Sequence, residues 1–215
     1  NNMKDNVFFV SGIDTNVGKS YATGYLAKTW NEQGVRTITQ KFIQTGNVGM
    51  SEDIELHRKI MGTGLLPEDE SGLTMPEIFT YPCSPHLAAE IDHRPIDFDK
   101  IEKATRQLSE TYDAVLLEGA GGLMVPLTRD LLTIDYVAQK NYPLIFVTSG
   151  KLGSINHTLL SLEAVTRRGI RLHTVAYNLF PEEDDDIIRR DTEAYIRDLL
   201  AKEYPETHFV IVPKL

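Results

Sequence analysis

Nine consecutive residues, Gly12-Ile13-Asp14-Thr15-Asn16-Val17-Gly18-Lys19-Ser20, limit what this chain can fold into more than any other stretch. They fit the pattern G-x-x-x-x-G-K-[ST], between an apolar run of strand length, Val7–Val10, and a segment of helical period that opens at Tyr21. Strand, tight turn and helix is the setting this pattern requires. There the backbone N–H groups of the turn and of the helix N-terminus face phosphate oxygens, the lysine spans the β- and γ-phosphates, and the serine hydroxyl holds Mg²⁺. An ordinary glycine-containing turn matches by chance about once per hundred chains of this length. The flanking strand and helix argue against that reading.

The alternation continues beyond the motif. Tyr21–Gln33, Asp53–Met61, Ile101–Tyr112, Ile134–Gln139, His157–Arg167 and Ile187–Lys202 have helical period, and short apolar runs stand at Thr37–Thr39, Ala114–Leu117, Leu144–Val147, Leu172–Ala176 and Phe209–Val212. That order predicts βαβ units and a P-loop NTPase type of α/β fold, a mostly parallel sheet with helices on both faces. Val7–Val10, Ala114–Leu117 and Leu144–Val147 are apolar at consecutive positions, as strands covered on both faces must be, and belong at the sheet's centre. A length of 215 residues suits one domain, here 3–215, with Asn1-Asn2 ahead of Met3 read as a cloning remnant. Gly62 to Ser84, rich in glycine and proline, reads as a long irregular loop beside the site. The acidic run Glu182-Glu183-Asp184-Asp185-Asp186 reads as a solvated helix start rather than a metal site.

Composition enters through what it excludes. Lys and Arg number 22 against 31 Asp and Glu, a net charge of −9 that repels nucleic acid and anionic membrane surfaces. No apolar run has the roughly 20 residues needed to span a bilayer, and no basic-then-apolar leader opens the chain. A cytoplasmic protein with neither nucleic acid nor membrane as partner is expected. The single cysteine, Cys83, leaves no internal disulfide or thiolate cluster and reads as inert.

Two further strand ends carry candidate chemistry. The run Ala114–Leu117 ends in Glu118, followed by Gly119-Ala120-Gly121-Gly122. In doubly wound sheets ligand groups gather at the carboxyl ends of strands, so this acid arrives near the phosphates as a hard-oxygen ligand for Mg²⁺, although spacing alone leaves a capping role open. Thr37–Thr39 leads to Lys41, which there neutralises a transferring phosphoryl group, and to Thr45-Gly46 and Asp53 beyond. Surface lysines are common enough that spacing alone does not settle this.

Over most of its length the chain resembles the dethiobiotin synthetase family. The residues that carry the resemblance are Gly12–Ser20, Lys41 with Thr45-Gly46, Asp53, Ser84-Pro85-His86, Glu118-Gly119-Ala120-Gly121-Gly122, Lys151-Leu152-Gly153-Ser154-Ile155-Asn156-His157 and Asn178. The resemblance implies a ligase that joins CO₂ (or bicarbonate) to 7,8-diaminopelargonate, closing a cyclic urea and converting ATP to ADP and phosphate by way of a carbamate and a carbamic–phosphoric anhydride. It implies Mg²⁺ on Ser20, Asp53 and Glu118, and Lys19 and Lys41 as catalytic charges. Asn16, Val17, Gly18, Lys19, Ser20 and Tyr21 would wrap the phosphates, with Glu118, Gly119, Ala120 and Gly121 bordering them. Asn178, with Leu179, Pro213 and Lys214, would meet adenine, and Thr45 the diamine. The substrate carboxylate would dock on Gly153, Ser154, Ile155 and Asn156, at a helix N-terminus that in the family lies across a homodimer interface. Asn16 stands where an acid is usual, and Val210-Ile211-Val212-Pro213 departs from the family's Gly-x-[IL]-Pro.

Other readings share the fold: a related P-loop amidoligase, or a partition-type nucleotide switch. The switch proteins usually carry an early second lysine in the loop or a basic surface, whereas position 14 here is Asp and the net charge is negative.

Overall fold

The computed structural model describes residues 5–180 and 185–214. The leading Asn1-Asn2-Met3 and the acidic residues 182–184 lie outside the described residues. In chain order the first half comprises β1 (Val7–Gly12), α1 (Lys19–Glu32), β2 (Thr37–Lys41), β3 (Gln44–Thr45), α2 (Glu52–Met61), α3 (Pro67–Glu70), β4 (Ile78–Phe79), α4 (Pro85–Ile91) and α5 (Phe98–Thr111). The second half comprises β5 (Ala114–Glu118), β6 (Pro126–Thr128), β7 (Leu131–Leu132), α6 (Thr133–Lys140), β8 (Leu144–Ser149), α7 (Ser154–Arg167), β9 (Leu172–Asn178), α8 (Asp186–Glu203) and β10 (His208–Val212).

Six strands pair in the order β10-β9-β8-β1-β5-β2, every pair parallel. The three runs that are apolar throughout, in β1, β5 and β8, occupy interior positions of that sheet, as their composition demands. Alternate residues divide between two cores. Phe9, Val115, Leu117 and Phe146 pack with Leu108, Val137, Leu162 and Ile196 on one face. Val10, Leu116, Ile145 and Val147 pack with Ala22 and Leu26 of α1 on the other. Each fully buried side chain of this size contributes roughly 1.5–3 kcal/mol of apolar transfer, so two cores rather than local propensity hold the three layers together.

Local chemistry sets the helix ends. Ser51 starts α2 by accepting a hydrogen bond from Ile54 N at 3.2 Å, and Gly62 ends it with a φ of 76°. Asp185 caps α8 on Ile187 N and Ile188 N, which is the helix-start role read from the acidic run for its described part.

The segment from Gly62 to Ser84 is not one irregular loop. It contains α3 and β4, and it covers the outer edge of β2 and runs on to β3: Lys41 N donates to Thr74 O at 2.7 Å and Gln44 N to Glu77 O at 2.9 Å. Backbone pairing of this kind leaves no sequence signature of the usual strand type, because only two residues, Ile78 and Phe79, form a regular ladder with β3. Of the whole segment, Pro82, Cys83 and Ser84 reach the cavity described next.

Candidate active site

The carboxyl ends of β1, β5 and β2 open into a cavity of about 780 Å³. Strand register assembles its floor. Val10 of β1 pairs with Glu118 of β5, and Glu118 with Lys41 of β2, so the acid and the lysine emerge side by side.

The turn after β1 is held from several directions. Asp14 Oδ1 accepts from Asn16 N at 2.7 Å. Gly18 takes a φ of 80°, and a Cβ there would lie 2.8 Å from Phe180 O and against the Asn178 amide, so both backbone conformation and space require glycine. Gly18 also occupies the cap position of α1 and offers no side chain to its N–H groups. Asn178, buried at the end of β9, donates from Nδ2 to Val17 O and to Gly18 O, each at 3.1 Å, and accepts from Phe180 N through Oδ1. The loop therefore hangs from a strand on the other side of β8.

Lys19, buried, donates to Gly121 O at 2.8 Å. Burial, with the nearby Lys41 ammonium, pushes its pKa down to about 8. Gly121 follows β5 with a φ of 73°, its missing Cβ only 2.9 Å from Val125 Cγ2, which lets its carbonyl come this close.

Glu118 is the hub. Its Oε2 accepts from Ser20 Oγ at 2.7 Å and from Lys41 Nζ at 3.0 Å, and its Oε1 lies 2.8 Å from His57 Nε2. Lys41 Nζ also meets Asp53 Oδ2 at 2.7 Å and Gly119 O at 3.1 Å. Burial alone would depress Lys41, but Glu118 and Asp53 outweigh it and raise its pKa, which fixes it as an ammonium. Burial would likewise push Glu118 up; the Lys41 ammonium, then His57 through both charge and hydrogen bond, hold the carboxyl well below its usual range instead.

Ser20, Asp53 and Glu118, from three elements, all line the cavity. A hydroxyl and two carboxylates are the hard oxygens Mg²⁺ selects, and among the described residues no cluster of three His, Cys, Asp or Glu side chains forms a more complete metal cage. Partial ligation suits Mg²⁺, which keeps waters and shares its shell with phosphates. The donor set fits that ion.

Of the residues singled out from sequence, Gly18, Lys19, Ser20, Tyr21, Lys41, Thr45, Asp53, Glu118, Ala120 and Gly121 line the cavity. Asn16, Val17, Gly119, Asn178, Leu179, Pro213 and Lys214 do not. Val17, Gly119 and Asn178 stand directly behind the lining, and Pro213 connects to it through its carbonyl, which accepts from Tyr21 Oη at 3.2 Å. Gly153, Ser154, Ile155 and Asn156 form the start of α7 after β8, outside this cavity, with Gly153 at a φ of 95° and Ser154 Oγ 3.1 Å from Ser149 Oγ. His86, at the start of α4, has its Nδ1 3.1 Å from Ser84 Oγ.

Sequence reading missed Phe180 and Val125 in the lining, and His57 behind Glu118. For His57 a signal existed: it follows Asp53 by four residues, one helical turn, and so shares its face of α2.

A family model described as AAA domain matches residues 6–215. The ATP-dependent dethiobiotin synthetase BioD 2 of Pasteurella multocida is 52% identical over 206 residues, 96% of this chain and 96% of that protein. Its namesake from Haemophilus influenzae is 57% identical over 184 residues, covering 86% of this chain and 96% of the other. A ParA family ATPase from Chlorobium tepidum, at 11% identity, superposes with a TM-score of 0.52 over 98% of this chain and 86% of its own, a likeness of fold alone.

Proposed function

The chain belongs to the ATP-dependent dethiobiotin synthetase family, and from that premise we propose that it uses ATP and Mg²⁺ to carboxylate 7,8-diaminopelargonate and close the cyclic urea of dethiobiotin. The observation that carries this reading is the convergence of Lys19, Ser20, Lys41, Asp53 and Glu118 on one cavity beneath the phosphate turn.

One amine of the diamine adds to CO₂, loses a proton and becomes a carbamate. A carbamate oxygen attacks the γ-phosphorus and ADP departs, leaving a carbamic–phosphoric anhydride. The second amine attacks the anhydride carbon, phosphate leaves, and the ring closes. Each step moves negative charge without needing a protein nucleophile. Lys41, held as an ammonium by two carboxylates, acts as a fixed positive charge rather than a base. Lys19 reaches the phosphates from the first turn of α1 and stabilises the phosphoryl group in transfer. Ser20, Asp53 and Glu118 would hold Mg²⁺, which would supply charge neutralisation at the phosphates.

Thr45 is assigned to the diamine. The base is assigned to the side of Asn178, Leu179, Pro213 and Lys214. Gly153, Ser154, Ile155 and Asn156 are assigned to the substrate carboxylate through a second copy of the chain, a reading supported by their place outside the cavity of one copy. Among the described residues no helix is long and apolar enough to cross a membrane, and we assign the homodimer to the cytoplasm, with CO₂ or bicarbonate as the carbon source.

The test is direct. Purified protein incubated with the diamine, bicarbonate and Mg·ATP is expected to release ADP together with a cyclic urea. Leaving out the diamine should stop both; ATP turnover indifferent to the diamine would reassign the chain to another P-loop ATPase.

A further inference from the structure

Behind Glu118 runs a buried chain of side chains that the reaction above leaves without a role. Asp69 accepts from Arg58 Nε and Nη2, each at 2.8 Å. Arg58 Nη1 donates to Thr39 Oγ1 at 2.7 Å, and that oxygen lies 2.7 Å from His57 Nδ1. His57 Nε2 lies 2.8 Å from Glu118 Oε1. Thr39, His57 and Glu118 are fully buried, and Arg58 is 1% exposed.

The proton between His57 and Glu118 can be assigned by elimination. A guanidinium only donates, so Arg58 takes a lone pair of Thr39 Oγ1. The threonine oxygen keeps its proton and a second lone pair, so it can hold His57 Nδ1 in either role. Nε2 faces a carboxylate oxygen, which only accepts, so Nε2 carries a proton whichever role Nδ1 takes.

We propose that His57 is a positioning residue for Glu118: an Nε2–H donor, anchored at its other nitrogen by Thr39, that pins Oε1 and so turns Oε2 toward Ser20, Lys41 and the cavity. The proposal rests on Glu118 being the site's acid. It explains why a fully buried histidine stands one turn after Asp53: from there its ring reaches and orients the carboxylate. Outer partners of this kind typically change metal affinity or activity by roughly 10- to 100-fold when removed.

Two measurements test it. Long-range ¹H–¹⁵N NMR of the histidine side chains is expected to show His57 protonated at Nε2; a bare Nε2 overturns the assignment. Magnesium is then titrated calorimetrically in the presence of ATP. His57→Phe, which fills the space without a donor, is expected to weaken the magnesium response at least tenfold. His57→Gln, which keeps one donor and one acceptor, should recover most of it. A folded His57→Phe with the wild-type response, or a His57→Gln no better than it, overturns the positioning role. Neither readout uses the diamine, so failure of the cyclic-urea assay and failure of this proposal are told apart.

Discussion

Lys19 and Lys41 bring the same charge to one cavity under opposite constraints. Lys41 sits against two carboxylates, whereas Lys19 has a backbone carbonyl as partner and a second ammonium nearby, which is why burial wins and its pKa falls to about 8. An anionic phosphate is the natural relief for that strain. Lys19→Ala should therefore lose turnover by roughly 10²–10³-fold or more, measured as ADP release under saturating Mg·ATP. Glu118→Gln should shift the magnesium titration to higher concentration, since the amide keeps the shape and drops the charge; an unchanged titration would make Glu118 purely structural. Both residues were legible in the sequence because each stands at a fixed offset from a strand: Lys19 within a loop pattern, Glu118 at the end of an apolar run. Thr39 and Arg58 were not. An Arg-Lys pair on a ten-residue helix has the local look of a solvated face, and only the packing of α2 against β2 reveals Arg58 as one of the largest fully buried side chains.

At the scale of elements, α2 does two jobs with successive residues. Asp53 and His57 serve the cavity, while Arg58 fastens the segment from Gly62 to Ser84 through Asp69, which also accepts from Leu66 N and Thr74 Oγ1. That segment covers the edge of β2, so its anchor matters to the sheet as well as to the loop. Asp69→Ala leaves a guanidinium buried beside Thr39 without its counter-charge, and urea denaturation should register a loss of about 3–5 kcal/mol. The sheet itself could be anticipated from alternation and runs of apolar residues. The edge cover could not, because its pairing is carried by irregular backbone whose partners lie some thirty residues away.

For the whole molecule, acid stability offers a test remote from the cavity. His173 on β9 packs against Phe8 at 4.8 Å between ring centres, and burial, then His208 and Arg171, push its pKa down from 6.5 to about 4. The unfolded chain binds a proton near 6.5 that the folded chain refuses until about 4. Its contribution is thus complete above pH 6.5 and drains away as pH falls toward 4. Urea midpoints across that window should decline less steeply in His173→Gln than in the parent. The far half of the sheet also governs the phosphate turn, because Asn178 supports the carbonyls of Val17 and Gly18 from β9. Residence time of the nucleotide then becomes a property of a strand that touches no phosphate. Removing that amide with Asn178→Ala should quicken release of a fluorescent ATP analogue in stopped flow by up to roughly thirtyfold, at about 1 kcal/mol for each of the two lost hydrogen bonds. Slow release would come not from a tighter grip but from a stiffer hand.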